Sequence, residues 1–177
     1  EDFGWIAIVT TAVAVGLICG VINGVLVAYG RIVPFIATLA MLAGARGLAE
    51  IIADRKTQII RHQGFLDFFG AEPLGIPVIV IIFALVALAG WFLLNRTTFG
   101  RRTFAVGGNP EAARLAGIKV QRHTVYLYAL LGATCGIAAV MLMSRTTTGS
   151  STHGTLYELD AIAAVVAETG TRKRDVY

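Results

Sequence analysis

Charge is what this 177-residue chain has least of. No charged residue occurs from Phe3 to Gly30, from Ile76 to Leu94 or from Val125 to Met143. Only 15% of its residues are charged and 56% are hydrophobic, whereas soluble domains carry about a quarter charged residues. Uncharged runs of roughly 20 residues are what crossing the hydrocarbon of a bilayer requires. A soluble globular domain is thereby excluded.

Reactive chemistry is equally scarce. The two cysteines, Cys19 and Cys135, lie deep in apolar stretches. They read as small buried hydrophobes rather than as a disulfide, a metal site or a nucleophile. No glycine-rich loop with a trailing Lys-Ser/Thr occurs, so nucleotide hydrolysis is not expected. His62, His123 and His153 lack ligand-like spacing and read as loop or interface histidines. Ser150 and Ser151 have no neighbouring base pattern. Glu158 and Asp160 stand two apart, so a helix does not set them side by side. They read as acids at a helix start. No enzyme, metal or cofactor is expected. The chain begins Glu1-Asp2, with no basic flank before its first apolar run, so no signal peptide is read there and a fragment is expected.

What is present organises into one transmembrane domain over residues 1–177, an all-α polytopic membrane protein. Spans are expected at about 5–29, 33–53, 76–94 and 125–143. In the first, Gly16, Gly20 and Gly24 recur at four-residue intervals and share a face that admits a neighbouring helix. Asn23, beside that face, needs a hydrogen-bond partner inside the protein. The fourth span holds Gly132 and Gly136, again four apart. The second starts with Pro34 in its first turn and carries Arg46 and Glu50 on one face. At 1.5 Å per residue Arg46 lies roughly 18 Å from Pro34. Ionisable groups at that depth face protein or a watery cavity and pair with one another. With Asn23 and Thr38 they form the candidate translocation path; a structural ion pair near the interface is the alternative. After the fourth span comes a Ser/Thr/Gly loop, residues 144–156. Tyr157 to Val166 then reads as a partial re-entrant or interfacial helix, and 167–177 as an atypical tail.

The net charge of +4 is not a nucleic-acid signal in such a chain. Residues 95–124 hold six Lys and Arg against the single acid Glu111, whereas 54–75 is balanced, three against three. Excess basic charge marks cytoplasmic loops, so 95–124 is expected inside the cell.

Within that loop, Asn109 suits an N-cap, Pro110 the first helical position and Glu111 the first turn. Gly117 suits the C′ position. A short capped helix is predicted over 110–117. Alone in water it would be marginal, so it needs something to pack on.

These residues carry a resemblance. Glu111-Ala112-Ala113, three residues, then Gly117 resembles the EAA…G coupling signature of ABC importer permeases. The run FAVGGNPEAARLAGI, Phe104 to Ile118, is similar to the version in monosaccharide permeases of the ribose/xylose/galactoside type. INGVLVAYGRIVPFIATLAMLAGARGLA, from Ile22, resembles that family's early spans, and YELDAIAAVV, from Tyr157, the segment after its substrate-side loop. The resemblance covers about residues 10–166. It implies a multi-pass bacterial inner-membrane subunit of an ATP-driven sugar importer. The implied partners are a cytoplasmic ATPase, a second permease copy or homologue, and a periplasmic sugar-binding protein meeting 54–75 and 144–160. Gly108, Asn109, Glu111, Ala112, Ala113 and Gly117 would form the ATPase-docking surface. One departure stands out: AETGTRKRDVY follows where the family has a Gly-Gly-Thr-type stretch and further helices. A partial permease is therefore expected, with helices too few to close a full pathway. The alternatives are a secondary transporter, whose inverted repeat is not evident, and a non-transporting membrane scaffold.

Overall fold

The computed structural model describes residues 4–54, 56, 58–59, 69, 71, 76–150 and 154–174. Most of the balanced loop 54–75, with His62, lies outside the described residues, as do Ser151, His153 and the last three residues of the tail.

Among the described residues the elements in chain order are α1 (Gly4–Ala28), α2 (Pro34–Ile52), β1 (Gln58–Ile59), α3 (Val78–Arg96), α4 (Thr98–Gly108), α5 (Pro110–Leu115), α6 (Val120–Thr146), β2 (Thr148–Gly149) and α7 (Tyr157–Arg174). Four helices among the described residues, α1, α2, α3 and α6, are long and apolar enough to cross a membrane. The chain is a polytopic helical membrane protein. β1 and β2 form a two-residue antiparallel bridge, Gln58 opposite Gly149 and Ile59 opposite Thr148. It ties the segment after α2 to the segment after α6.

The principal interhelical interface runs between α1 and α6, and glycine makes it possible. Gly16, Gly20 and Gly24 of α1 face Gly132, Gly136, Tyr128 and Val125 of α6. A Cβ on Gly16 would collide with the Gly132 carbonyl, and one on Gly20 with that of Tyr128. A Cβ on Gly136 would stand 2.7 Å from Val13 Cα, and one on Gly24 2.9 Å from Val125 Cα. Backbones this close gain dispersion contacts, the main attraction available where lipid tails already solvate apolar side chains. A small apolar cluster adds to the seam, with Phe69 and Val140 buried against Ile8, Val9, Ala12, Ile79 and Ile82.

By contrast, α3 buries none of its residues and α2 only Ala37. Apart from Ile79 and Ile82, which meet the Phe69–Val140 cluster, most of their large apolar side chains are exposed, as on lipid-facing helices. Trp91 and Arg96 mark the end of α3, the guanidinium carbon 6.0 Å from the indole centroid. Trp near the end of a span is typical of the interfacial belt.

Several expectations need correcting. Cys135, expected buried, is exposed on the apolar surface, while Cys19 is half-buried; α6 turns its glycine face, not its Cys135 face, toward α1. The fourth span was expected at 125–143, but α6 runs from Val120 to Thr146, because Gln121, Arg122 and His123 extend the helix beyond the apolar run. α7 continues to Arg174 rather than stopping near Val166. Ala167 and Glu168 carry the helix past the apolar run by propensity, and Arg172, Lys173 and Arg174 suit its C-terminal end. Asn23 does not find its expected partner: its Oδ1 is buried and accepts no hydrogen bond among the described residues.

Overpacking the α1–α6 seam should therefore destabilise the chain far more than the same change elsewhere. Gly20→Val should cost about 1–3 kcal/mol in a detergent unfolding titration. Gly44→Ala, where a Cβ meets nothing within 4 Å, should be neutral or mildly stabilising. Equal unfolding midpoints for the two variants would contradict the glycine seam.

Candidate functional site: a capped helix on a locked loop

The basic loop is more ordered than its sequence suggests, because a further helix, α4, precedes the predicted one. Thr97 caps it: its Oγ1 accepts from Gly100 N at 3.4 Å and donates back to the Leu93 carbonyl of α3. Gly100 is buried where α4 crosses α3, and a Cβ there would overlap the backbone of Leu94. Glycine is needed for that close approach. Three glycines in Thr98–Gly108 lower its helix propensity, which is why the sequence pattern alone missed it.

α4 is locked to α6 by a polar contact. Thr103 Oγ1 lies 2.9 Å from the Phe99 carbonyl and 2.9 Å from His123 Nε2. The hydroxyl has one proton, so when it donates to Phe99, the imidazole donates to Thr103. The Phe99 ring packs on His123 at 4.7 Å between centroids, tilted by 46°. His123 is only 6% exposed, so it is an interface histidine between two helices. Sequence spacing gave no sign of the Thr103–His123 pairing, since the two residues are 20 apart.

α5 follows after one residue. Asn109 caps its start, Oδ1 accepting from Glu111 N at 3.0 Å and Ala112 N at 3.1 Å. Its end is closed by a paired reverse turn: Gly117 N donates to Arg114 O and Ile118 N to Ala113 O, both at 3.0 Å. Gly117 sits at φ +83°, where an L side chain is strained. The helix proper is Pro110–Leu115 with Ala116 as its C-cap, slightly shorter than 110–117. Only Ile118 and Lys119 separate Gly117 from the start of α6 at Val120. A displacement of α5 therefore reaches a membrane-crossing helix through almost no slack chain.

The outward face differs from the one expected. Ala113 was placed on the docking surface, yet it is 4% exposed, on the side of α5 that meets α4 and α6. Glu111, Ala112, Gly108 and Asn109 are exposed. Leu115, overlooked in the sequence, is 84% exposed; only its place on the short helix opposite Ala113 singles it out. Glu111 pairs with Arg114 at 3.1 Å, an exposed pair of small energetic value.

No hydrogen bond or ion pair joins the candidate path residues to one another among the described residues. Arg46 and Glu50 are both half-buried on α2, but no ion pair joins them among the described residues. Arg46 Nη2 instead reaches Thr155 Oγ1 at 3.5 Å, linking α2 to the segment before α7. The Thr38 hydroxyl donates within its own helix, 3.1 Å from Pro34 O and 3.0 Å from Phe35 O. Among the described residues no hydrogen bond connects Asn23 with any of the three.

Residues 2–167 match the family described as branched-chain amino acid transport system / permease component. The chain belongs to that family. It is similar to the ribose import permease protein RbsC of Escherichia coli, 40% identical over 162 residues, covering 89% of this chain and 50% of the relative. The corresponding protein of Bacillus subtilis is 45% identical over 146 residues, 81% of this chain and 45% of the relative. The fructose import permease protein FrcC of Rhizobium meliloti is 37% identical over 166 residues, 89% and 46%. The chain thus spans about half the length of the curated relatives it matches. No solved structure matches it.

Two substitutions separate the cap from the lock. Asn109→Ala should destabilise α5 by about 1 kcal/mol, seen as faster amide exchange at Glu111 and Ala112 with α4 unchanged. Thr103→Val should instead speed exchange in α4. If both variants exchange alike throughout the loop, the cap and the lock are not separate devices.

Proposed function

We propose that this chain forms part of the membrane-spanning permease of an ATP-driven monosaccharide importer in the bacterial inner membrane. The basic loop 95–124 lies in the cytoplasm, where α5 docks into a separate ATPase subunit. ATP hydrolysis takes place on that partner. A second permease copy or homologue and a periplasmic sugar-binding protein complete the importer. The monosaccharide class is supported by similarity to ribose and fructose import permeases and to the L-arabinose transport system permease protein AraH of Escherichia coli, 40% identical over 145 residues.

The observation that carries the proposal is the mechanical continuity of α4, α5 and α6. α5 is capped at both ends, braced by a helix that is itself bonded to α6, and joined directly to a spanning helix. Such an element transmits a push rather than absorbing it. α6 in turn meets α1 along the glycine seam, so a shift of α5 moves two spans as a pair. The docking face comprises Gly108, Asn109, Glu111, Ala112 and Leu115, with Gly117 holding the turn. Ala113 acts from behind, as packing. Asn23, Thr38, Arg46 and Glu50 remain the candidate path positions, with Arg46 and Glu50 as separate polar groups rather than a pair.

The test is co-purification with the partner ATPase together with sugar uptake in cells. Glu111→Lys should abolish both. Leu115→Asp should weaken ATPase association by about thirtyfold or more, as removal of an interfacial anchor does. Retention of ATPase binding and uptake by both variants would refute the coupling role.

A further inference from the structure

A cavity of about 740 Å³ opens between the end of α1, the coupling helix α5 and the start of α6. Its charged lining is Arg31, Glu111, Arg114, Lys119 and Arg122, with Tyr29 at its edge. Glu111 is taken by Arg114. Arg31, Lys119 and Arg122 have no carboxylate within ion-pair distance among the described residues. Lys119 and Arg122 also line a neighbouring cavity that extends to Arg102, so the cations form a continuous rim around the root of α6.

Arg31 is held in an unusual way. Its φ is +52°, the left-handed region where glycine is favoured and a long side chain is costly. It occupies the turn between α1 and α2, next to Gly30, and lines the cavity. The backbone position would suit glycine, and a cation stands there instead.

We infer that this cavity binds the phosphate group of an acidic phospholipid from the surrounding leaflet. A phosphodiester offers the anionic oxygens that three uncompensated cations require. The location favours lipid over free phosphate: the cavity lies where α1 leaves the bilayer and α6 enters it, beside half-exposed Tyr29, whose amphipathic ring suits the headgroup level. A headgroup seated there bridges the α1–α2 turn to the base of the coupling helix. The inference depends on the membrane placement of α1 and α6, not on ATPase docking.

Native mass spectrometry of the full chain in detergent tests it, with phosphatidylglycerol and phosphatidylcholine of identical tails as probes. The wild-type chain should bind phosphatidylglycerol more tightly. Arg31→Gly, which suits the left-handed backbone and so preserves the turn, should weaken that binding about fivefold, the effect of one basic residue at an anionic surface. Lys119→Gln should do the same, and Arg101→Gln, outside both cavities, should not. Equal affinity for the two lipids, or an equal loss in Arg101→Gln, would overturn the assignment. So would displacement of phosphatidylglycerol by low-millimolar inorganic phosphate, which would mark a free-phosphate site. Arg31→Gly and Lys119→Gln losing ATPase association while keeping phosphatidylglycerol binding would also overturn it, in favour of an acidic protein surface.

Discussion

The contact of α1 with α6 through bare backbone is the constraint on which the rest of the molecule rests. Inside a bilayer, burying leucine gains little, since lipid solvates leucine as well as protein does. Close backbone approach is one of the few remaining sources of attraction, and it demands glycine on both partners. Gly16 and Gly20 meet Gly132 and Gly136, and Gly24 meets Val125, so tightly that the two helices behave as one unit. Everything attached to α6 is then referred to that pair.

The basic loop is attached to it at two points. The covalent one is the short turn from Gly117 to Val120, stiffened by the capping hydrogen bonds of Gly117 and Ile118. The non-covalent one is Thr103 to His123, with Phe99 packed on the imidazole. Between them α5 has little freedom of its own, although a six-residue helix in water would barely form. A short helix held this way keeps its outer face available while its inner face, at Ala113, serves as packing. The same arrangement gathers Arg31, Lys119 and Arg122 around one cavity, because α1 and α6 bring their charged ends to the same side.

The helical membrane class was legible in the runs between charged residues, and the permease family in the blocks at Phe104–Ile118, Ile22–Ala49 and Tyr157–Val166. These are local signals: hydrocarbon thickness sets the length of a span, and a cap works within a few residues of its helix end. Asn109, Pro110 and Gly117 could be placed for that reason. α4 could not, because its glycines weaken the local pattern and its stability comes from Thr97, α3 and α6. Ala113 and Leu115 likewise look alike as apolar members of one short helix until a neighbour selects the buried side.

The sequence by itself determined that the chain crosses a membrane, which segments are apolar enough to do so, and where the short loop helix is capped. It also set the glycine spacing that permits a close seam. Only the tertiary structure decided which helix meets those glycines, that Arg46 turns to Thr155 rather than to Glu50, and that Cys135 stays outside the seam. The reason is physical. Hydrogen bonds within a helix and the cost of charge in hydrocarbon act over a few residues, whereas packing pairs residues distant in sequence through shapes that no single segment contains.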